Sequence, residues 1–359
     1  MNPVYIIAEA GVNHNGNIDL AYKLIDLAVE AGADAVKFQT FVADSLVTKS
    51  AKKADYQIDL SDTEESQYSM LKRLELSQSQ FSDLHKYCKE KEIDFLSTAF
   101  DQESLRFLYE DLKLPMLKIP SGELTNAPFV LEHAQTGCDL ILSTGMADIE
   151  EIKMALSVIA YGFLGKTDKL MPSIASFKKA FESKEGQEVL ARKVTILHCT
   201  TEYPTPLIDV NLLAINEMHK LLRLKVGYSD HTQGIVVPIA AVALGARIIE
   251  KHFTLDCSMD GPDHRASLDP HNLNEMIKAI RSTELALGSH EKIIADSELS
   301  NREIIRKSIV ATQVINKGET LNETNIGIMR PGKGLSPYLY WQKIGSKAMT
   351  QFKVGDYIE

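Results

Sequence analysis

One pattern recurs along the first 288 residues of the sequence: a short, almost wholly apolar segment is followed by an amphipathic one. The apolar segment occurs eight times: VYIIAEA (4–10), AVKFQT (35–40), DFLSTAF (94–100), PMLKIPS (115–121), LILSTG (140–145), VTILHCT (194–200), LKVGYSD (224–230) and RIIEKHF (247–253). Continuous apolarity is typical of parallel strands that are covered on both faces. The intervening segments, such as IDLAYKLIDLAVEAGA (18–33), have apolar residues at helical spacing.

Eight strand–helix units within roughly 250 residues predict a closed (β/α)8 barrel of the TIM type. We assign it to residues 1–287. A doubly wound open sheet is the alternative. The first strand-to-helix turn, AGVNHNGN, lacks the GxGxxG pattern of dinucleotide-binding sheets, which favours the barrel.

Two segments interrupt this rhythm. Residues 44–80 form a long polar insertion after the second strand, and we expect them to cover a substrate. Residues 162–192 are rich in charge, and we expect them to be solvated surface.

The pattern of apolar and polar residues changes after the last predicted barrel helix. Residues 288–303 are predicted to be a polar linker, and residues 304–359 contain short strand-like pieces with turn signals at Lys317-Gly318, Pro331-Gly332, Lys333-Gly334 and Val354-Gly355. The sequence therefore predicts a second, small β-rich domain.

Composition excludes several classes of function. The net charge of −10 argues against a nucleic-acid partner, although a site that is locally basic can still bind a small anion. The four cysteines show no CxxC pair, and no apolar run is long enough to cross a membrane. Because the amino terminus lacks the features of a signal peptide, we expect a cytoplasmic protein with no membrane partner.

Every predicted strand ends in polar residues. They are Glu9; Lys37 and Gln39; Ser97 and Thr98; Lys118, Ser121 and Glu123; Ser143 and Thr144; His198, Thr200 and Thr201; Ser229, Asp230 and His231; and Glu250, Lys251 and His252. In a barrel these ends converge on one mouth, where the active site lies. Eight polar ends together predict such a site.

The two lysines and two of the histidines indicate the chemistry. Lys37 and Lys118 interrupt buried strands, where an unpaired charge is costly, so they suit an anion such as a phosphate or carboxylate. His231 and His252 end neighbouring strands about 4.8 Å apart and suit a divalent metal such as manganese. The alternatives are a surface lysine and a hydrogen-bonded core or capping histidine.

Several carboxylates and one cysteine remain open in role. Glu9, Glu123, Glu250 and Asp263 are possible bases or sugar ligands, although any of them could instead hold a lysine, and Asp263 could form a turn. Asp230 either orients His231 or caps the next helix. Cys199 is expected to be a core residue rather than a nucleophile.

These residues lie in motifs that resemble a known family. IIAEAGVNHNG, AVKFQTF, FLSTAFD, LKIPSGE, ILSTGM, LHCTTEYPTP, GYSDHT, EKHFT and GPDH are similar to the sialic acid synthases, which condense phosphoenolpyruvate with an N-acyl hexosamine. RKSIVA, INKGE and MRPGKG resemble the antifreeze-like (SAF) domain attached to that barrel. The resemblance covers nearly the whole chain.

The resemblance implies a role for individual residues. Phosphoenolpyruvate would be bound by Lys37, Thr98, Lys118, Ser121, Ser143 and Ser229, and by Thr201, which stands where some members have asparagine. Gln39, Glu123 and Asp263 would hold the amino sugar, and Glu9 would orient or deprotonate water. His231 and His252 would ligate Mn²⁺ or Mg²⁺. Arg330 would reach the N-acyl group in the partner's site of a domain-swapped homodimer.

The resemblance leaves the sugar open. HCTTEYP and KKADYQ are similar to legionaminic acid synthases, which use 2,4-diacetamido-2,4,6-trideoxymannose, while enzymes for N-acetylmannosamine share most motifs. Two further alternatives are a phosphoenolpyruvate synthase for a phosphorylated sugar, which needs extra basic residues, and a non-catalytic sugar- or ice-binding protein.

Overall fold

The computed structural model describes residues 3–49, 66–165 and 171–359. The chain divides into two compact units, Met1–Gly288 and Ser289–Glu359. Each unit has its own cluster of buried apolar residues.

The first unit is a closed barrel of parallel strands. Among the described residues its eight strands are β1 (Tyr5–Gly11), β2 (Ala35–Thr40), β3 (Asp94–Ala99), β4 (Met116–Ile119), β5 (Asp139–Ser143), β6 (Val194–His198), β7 (Lys225–Asp230) and β8 (Ile248–His252). They pair in chain order, and β1 pairs with β8 to close the barrel. The barrel prediction is confirmed, and the open-sheet alternative is excluded.

Helices follow or connect these strands. They are α1 (Ile18–Ala31), α2 (Ala43–Leu46), α3 (Gln67–Leu74), α4 (Gln78–Glu90), α5 (Gln102–Arg106), α6 (Ala127–Gln135), α7 (Ile149–Leu164), α8 (Ile174–Glu182), α9 (Lys184–Lys193), α10 (Ala214–Leu222), α11 (Val236–Ala243) and α12 (Pro270–Leu287). Local signals set several ends: the Asp148 side chain caps α7, and α1 ends at Gly32, whose φ of 82° suits glycine.

The interior of the barrel positions the polar strand ends. A layer of Ile7, Ala35, Leu96, Ile141, Leu197 and Ile248 fills the barrel. Because side chains alternate along a strand, the residue two positions later faces the same side. That next layer consists of Glu9, Lys37, Thr98, Ser143, Cys199 and Glu250, all of which are buried. The apolar floor therefore places polar side chains at the mouth.

The two insertions form helices where they are described. Residues 44–80 contribute parts of α2, all of α3 and the start of α4, while residues 50–65 lie outside the described residues. Residues 166–170 of the segment 162–192 lie outside the described residues. In the described part, the expectation of solvated surface holds for charged side chains such as Lys178 and Lys184 but is wrong for the apolar faces of the helices in this segment. Its α8 and α9 pack on α7, with Phe177 against Tyr161 at 5.2 Å and Leu190 fully buried, because apolar residues recur at helical spacing among the charges.

The second unit contains an antiparallel strand pair, β9 (Ser308–Ala311) and β10 (Ile326–Met329). Its core includes Ile309, Ile315, Leu321, Ile326 and Phe352. It also contains α13 (Asp296–Ile305), which begins in the segment 288–303 predicted as linker and extends two residues beyond it, and the short α14 (Tyr340–Lys343). Across the described parts of both units, no helix combines the length and apolarity needed to span a membrane.

Candidate active site

A cavity of about 350 Å³ opens at the carboxyl ends of the barrel strands. It brings together twelve of the fourteen site residues named from the sequence: Glu9, Lys37, Gln39, Thr98, Lys118, Ser121, Ser143, Thr201, Ser229, His231, His252 and Asp263. Cavities of this size suit small-molecule ligands. The convergence of strand ends at one site is therefore present in the structure.

The other two named residues lie elsewhere. Glu123 lines a neighbouring groove, where it accepts a hydrogen bond from the Asn126 amide at 2.7 Å. Arg330 is an exposed residue of the second unit.

The cavity floor is a network of buried lysines and carboxylates. Lys37 Nζ lies 2.6 Å from Glu9 Oε2, 3.5 Å from Glu250 Oε2 and 3.1 Å from Thr98 Oγ1. Lys118 Nζ donates to both oxygens of Glu250, at 2.9 and 3.0 Å. Glu250 thus lies between the two lysines, which stand on β2 and β4.

This network shifts the pKa values of its members. Burial raises the pKa of Glu250, but Lys118 and Lys37 outweigh it and hold that pKa well below the usual range. Burial lowers the pKa of Lys37, but Glu250 and Glu9 leave it raised, while burial leaves the pKa of Lys118 lowered. The floor therefore holds Lys37 and Glu250 in their charged forms.

Two other carboxyl groups are easier to protonate. Burial raises the pKa of Glu9 to about 7, although Lys37 opposes the shift. Burial likewise raises the pKa of Asp263 to about 6. Both groups can therefore exchange a proton near neutral pH, as a general acid or base must.

His231 and His252 face one another across the cavity, with ring centroids 5.7 Å apart. His231 Nδ1 lies 2.6 Å from the Thr200 carbonyl oxygen, which can only accept, so Nδ1 carries the proton and Nε2 has the lone pair. Burial lowers the pKa of His231 to about 4 and that of His252 well below its ordinary value. Both imidazoles are neutral at pH 7.

The pair fits a divalent metal. His252 Nδ1 is buried and has no hydrogen-bond partner among the described residues; Asp263 Oδ2 is 3.9 Å away. Neutral imidazole nitrogens are metal ligands. In the described parts of the chain no three His, Cys, Asp or Glu side chains form a metal-binding group. A metal at this pair would therefore take its other ligands from water or substrate.

One aromatic side chain of the site has no signal in the sequence that places it there. The ring of Tyr203 lies 4.1 Å from that of His231 and 5.8 Å from that of His252, centroid to centroid. Tyr203 comes from a loop after β6, where no periodicity indicates its direction. Glu250, by contrast, was named from the sequence as a possible base. It lies two residues after Ile248 of the apolar layer, and side chains at that interval face the same side of a strand, which accounts for its place in the cavity floor.

Asp230 bonds neither ring nitrogen of His231, whose Nδ1 contacts the Thr200 carbonyl oxygen, and it does not cap the following helix. Its carboxylate accepts hydrogen bonds from Thr232 N and Oγ1, at 3.1 and 2.9 Å, and pairs with Lys251 Nζ at 2.5 Å. The following helix starts later, at Val236, without a side-chain cap. Cys199 lines the cavity, but burial raises the pKa of its thiol, which keeps it protonated and poorly nucleophilic.

The chain matches known proteins over nearly its whole length. It is 44% identical to the N,N'-diacetyllegionaminic acid synthase of Campylobacter jejuni, covering 100% of this chain and 99% of that protein. It is 41% identical to the Legionella pneumophila enzyme of the same name, covering 98% and 92%. A crystal structure of an N-acetylneuraminic acid synthetase from Leptospira borgpetersenii, in complex with citrate, superposes with a TM-score of 0.66 at 32% identity, covering 84% and 90%.

The family assignment rests on more than these individual relatives. The model of the NeuB family matches residues 24–292, which include seven of the eight barrel strands and the cavity residues from Lys37 to Asp263. The family model omits only residues 1–23 of the barrel unit, with β1 and the start of α1, and the match to the Campylobacter jejuni synthase covers these residues too. The chain belongs to the NeuB family.

Proposed function

We propose that this protein is a nonulosonic acid synthase. It condenses phosphoenolpyruvate with an N-acyl mannosamine-type sugar and releases inorganic phosphate. One observation carries the proposal: two buried lysines and two neutral histidines line one cavity at the mouth of the barrel. The lysines suit an anionic substrate, and the histidines suit a metal that activates a carbonyl group.

Phosphoenolpyruvate binds at the lysine side of the cavity. Lys37 and Lys118 supply positive charge to its carboxylate and phosphate, and hydroxyl groups donate hydrogen bonds around them. The hydroxyl groups are those of Thr98, Ser121, Ser143, Thr201 and Ser229, all of which line the cavity. Glu250 holds both ammonium groups in place before the substrate arrives.

The sugar binds at the histidine side with its aldehyde towards His231 and His252. These residues would hold Mn²⁺ or Mg²⁺, which when bound polarises the aldehyde as a Lewis acid. Gln39 and Asp263, which line the cavity, hold the hydroxyl or amide groups of the sugar. Glu123 would contact the sugar from the neighbouring groove.

The carboxylates act where charge develops. As a bond forms between C3 of phosphoenolpyruvate and the aldehyde carbon, the π pair of the aldehyde moves to its oxygen, which takes up a proton from solvent and becomes a hydroxyl group, and C2 gains cationic character. Glu9 and Glu250, both on the cavity floor, stabilise that charge. Glu9 orients a water towards C2 and accepts its proton, and the C2 adduct then loses phosphate to leave the keto group.

We propose 2,4-diacetamido-2,4,6-trideoxymannose as the sugar rather than N-acetylmannosamine. One wall of the cavity is apolar and is made of Val12, Phe41, Leu46, Met70, Leu71, Leu74 and Phe100. A 6-deoxy sugar ends in a methyl group, which such a wall accommodates. A C6 hydroxyl buried there would lose hydrogen bonds to water without replacement. The similarity to the two N,N'-diacetyllegionaminic acid synthases supports the same choice.

The test is a comparison of substrates. Purified protein with Mn²⁺ and phosphoenolpyruvate is assayed for phosphate release with each sugar and with N-acetylmannosamine 6-phosphate, and products are identified by mass spectrometry. We expect a preference of about 10- to 100-fold in kcat/KM for the diacetamido sugar, the range that an apolar pocket gives against an added hydroxyl.

Each other outcome rejects a different part of the proposal. Preference for N-acetylmannosamine would overturn the choice of sugar. Preference for the 6-phosphate would favour the alternative that takes a phosphorylated substrate. No phosphate release with any of the three would contradict the synthase assignment itself.

We further propose that the enzyme is a domain-swapped homodimer whose second unit is an antifreeze-like domain. Large apolar side chains are exposed on both units: Leu207, Ile208 and Val236 on the first, and Tyr338, Trp341 and Met349 on the second, each at least 72% exposed. Exposed apolar residues of this size mark interaction surfaces. Arg330, also exposed, would then reach the N-acyl group in the partner subunit's site.

A further inference from the structure

A completely buried ion pair lies next to the two histidines, on the side of β7 and β8 that faces away from the cavity. Asp230 ends β7, Lys251 is the penultimate residue of β8, and the two are partners in the strand register. Both side chains have 0% exposure. Because side chains alternate along a strand, they face away from the cavity, which their neighbours Ser229, Glu250 and His252 line.

The pair is tied to the chain on both sides of His231. Lys251 Nζ lies 2.5 Å from Asp230 Oδ2 and also donates to the carbonyl oxygen of Thr232. Asp230 in turn accepts from Thr232 N and Oγ1. Residues 230 and 232 are thus bound to one ammonium group, so the backbone that carries His231 cannot shift without breaking this network.

The same ammonium group belongs to the residue before His252. His231 has a further restraint in its Nδ1 contact with Thr200, whereas His252 Nδ1 has no hydrogen-bond partner among the described residues. The ring of His252 packs against Tyr203 and His231 but has no hydrogen bond at Nδ1, so its backbone carries more of its positioning than that of His231 does. The ion pair links that backbone to the loop of His231 and fixes the distance between the two rings.

We propose that the Asp230–Lys251 ion pair is a positioning element that holds the two imidazoles at the spacing a divalent metal requires and so sets metal affinity. The inference rests on the proposed function, since it needs a metal at His231 and His252. A site with only two protein ligands depends strongly on their preorganisation. Groups that do not touch the metal but hold its ligands in position lower the metal affinity when they are mutated.

The test measures binding of Mn²⁺ alone, by electron paramagnetic resonance of free Mn²⁺, without substrates or turnover. The double variant Asp230→Asn/Lys251→Met removes both charges together and leaves neither buried and unpaired. We expect its Kd for Mn²⁺ to rise about 10- to 100-fold, the effect typical of lost support behind metal ligands. Phosphoenolpyruvate affinity without metal should change little, because the lysine side of the cavity is intact.

A matched control separates positioning from general stability. Asp34→Asn breaks the Arg281–Asp34 pair, with Nη2 and Oδ2 2.7 Å apart, at the amino-terminal start of β2. Its Kd for Mn²⁺ should equal that of the wild type even if its melting temperature falls. A purely structural Asp230–Lys251 pair would behave in the same way, with a lower melting temperature and unchanged Mn²⁺ affinity, and that result would overturn the inference.

Two further arms cover the remaining outcomes. If the double variant does not fold, Thr232→Val is the substitute, since it keeps the ion pair but removes the Oγ1 hydrogen bond to Asp230. We expect it to bind Mn²⁺ about two- to ten-fold more weakly, and unchanged binding would contradict the inference.

His231→Ala and His252→Ala should abolish tight Mn²⁺ binding. If they do not, the proposed metal site fails; if they do while the pair variants bind normally, only the positioning role fails.

Discussion

At the scale of single residues, Glu9 and Glu250 differ in their pKa although both are buried beside Lys37. Glu250 contacts two lysines and accepts from Ser229 Oγ at 2.8 Å, so attraction outweighs the cost of burial. Glu9 has Lys37 at 2.6 Å, and burial dominates its pKa. Glu250 is therefore fixed as an anion, whereas Glu9 is free to exchange a proton near neutral pH.

This difference predicts the pH dependence of the enzyme. Glu9 must be ionised to accept a proton from water, and its pKa is raised to about 7. As pH falls through 7 the ionised fraction falls, so kcat/KM should decrease about tenfold per pH unit on the acid side. The measurement is kcat/KM for the sugar between pH 5.5 and 9 at saturating Mn²⁺, a range chosen to span the pKa at about 7.

The control for this profile is Glu9→Gln. The amide keeps the size of the side chain but cannot take the proton, so activity should fall about 10²- to 10⁴-fold and the limb near pH 7 should disappear. Any decrease in kcat/KM that remains on the acid side is due to titration of the substrate phosphate or of Asp263. A Glu9→Gln enzyme with the wild-type profile would show that Glu9 is not the base.

At the scale of elements, the strands and the inward-facing residues were predictable because both follow from short-range patterns. Continuous apolar segments indicate buried strands, and an interval of two residues takes Ile7 to Glu9 and Leu96 to Thr98. All eight predicted strands form, with ends that differ from the predicted ones by at most two residues. Twelve of the fourteen named site residues line the cavity, and eight of them, Glu9, Lys37, Gln39, Thr98, Lys118, Ser143, Ser229 and His252, lie within strands.

What depends on closure of the barrel was not predictable. Glu250 on β8 bonds Lys118 on β4, 132 residues away, across the mouth. No local pattern records which lysine a carboxylate meets, or that Asp230 pairs with Lys251 of the neighbouring strand. Tyr203 and the apolar wall lie partly on loops and on α3, where the chain direction depends on tertiary packing.

Charge among the apolar residues concealed the helices of the second insertion. Leu190 of α9 is completely buried, while Lys184 at the start of that helix is exposed. Leu190→Ala should therefore destabilise the barrel unit by about 2–5 kcal/mol, as expected for a large-to-small change in a core. Urea unfolding followed by circular dichroism measures the shift, with kcat expected to be unchanged under native conditions.

The companion variant Lys184→Ala removes only an exposed contact with Glu188 at 3.7 Å. Its free energy of unfolding should differ from that of the wild type by less than about 0.5 kcal/mol. If Leu190→Ala were equally neutral, the packing of the Leu190 side chain would not contribute to the stability of the barrel unit.

At the scale of the whole molecule, the separation into two units raises the question of what the second unit does. It has its own core and strand pair, and it exposes Tyr338, Trp341 and Met349. Burial of these side chains against a second copy would remove apolar surface from water. The proposed domain swap gives that burial a catalytic consequence, because Arg330 of one subunit would serve the barrel of the other.

Complementation between two inactive subunits tests this arrangement. Arg330→Ala should raise the KM for the sugar about tenfold or more, the cost of losing a charged hydrogen bond, with less effect on kcat. His252→Ala should be inactive in its own barrel. Co-expression with two different affinity tags isolates the hybrid dimer. In a domain-swapped hybrid, the one barrel with His252 receives the intact Arg330 of its partner.

That hybrid has one complete site out of two, so at sugar concentrations below KM it should show about half of the wild-type activity. If Arg330 instead serves its own barrel, one site of the hybrid lacks His252 and the other lacks Arg330, so activity should be only about half that of the Arg330→Ala dimer, which has two such impaired sites. A hybrid of wild type with His252→Ala gives the reference value for one active site per dimer. A protein that elutes as a monomer at assay concentration would also reject the shared site, because no partner would then be present to supply Arg330.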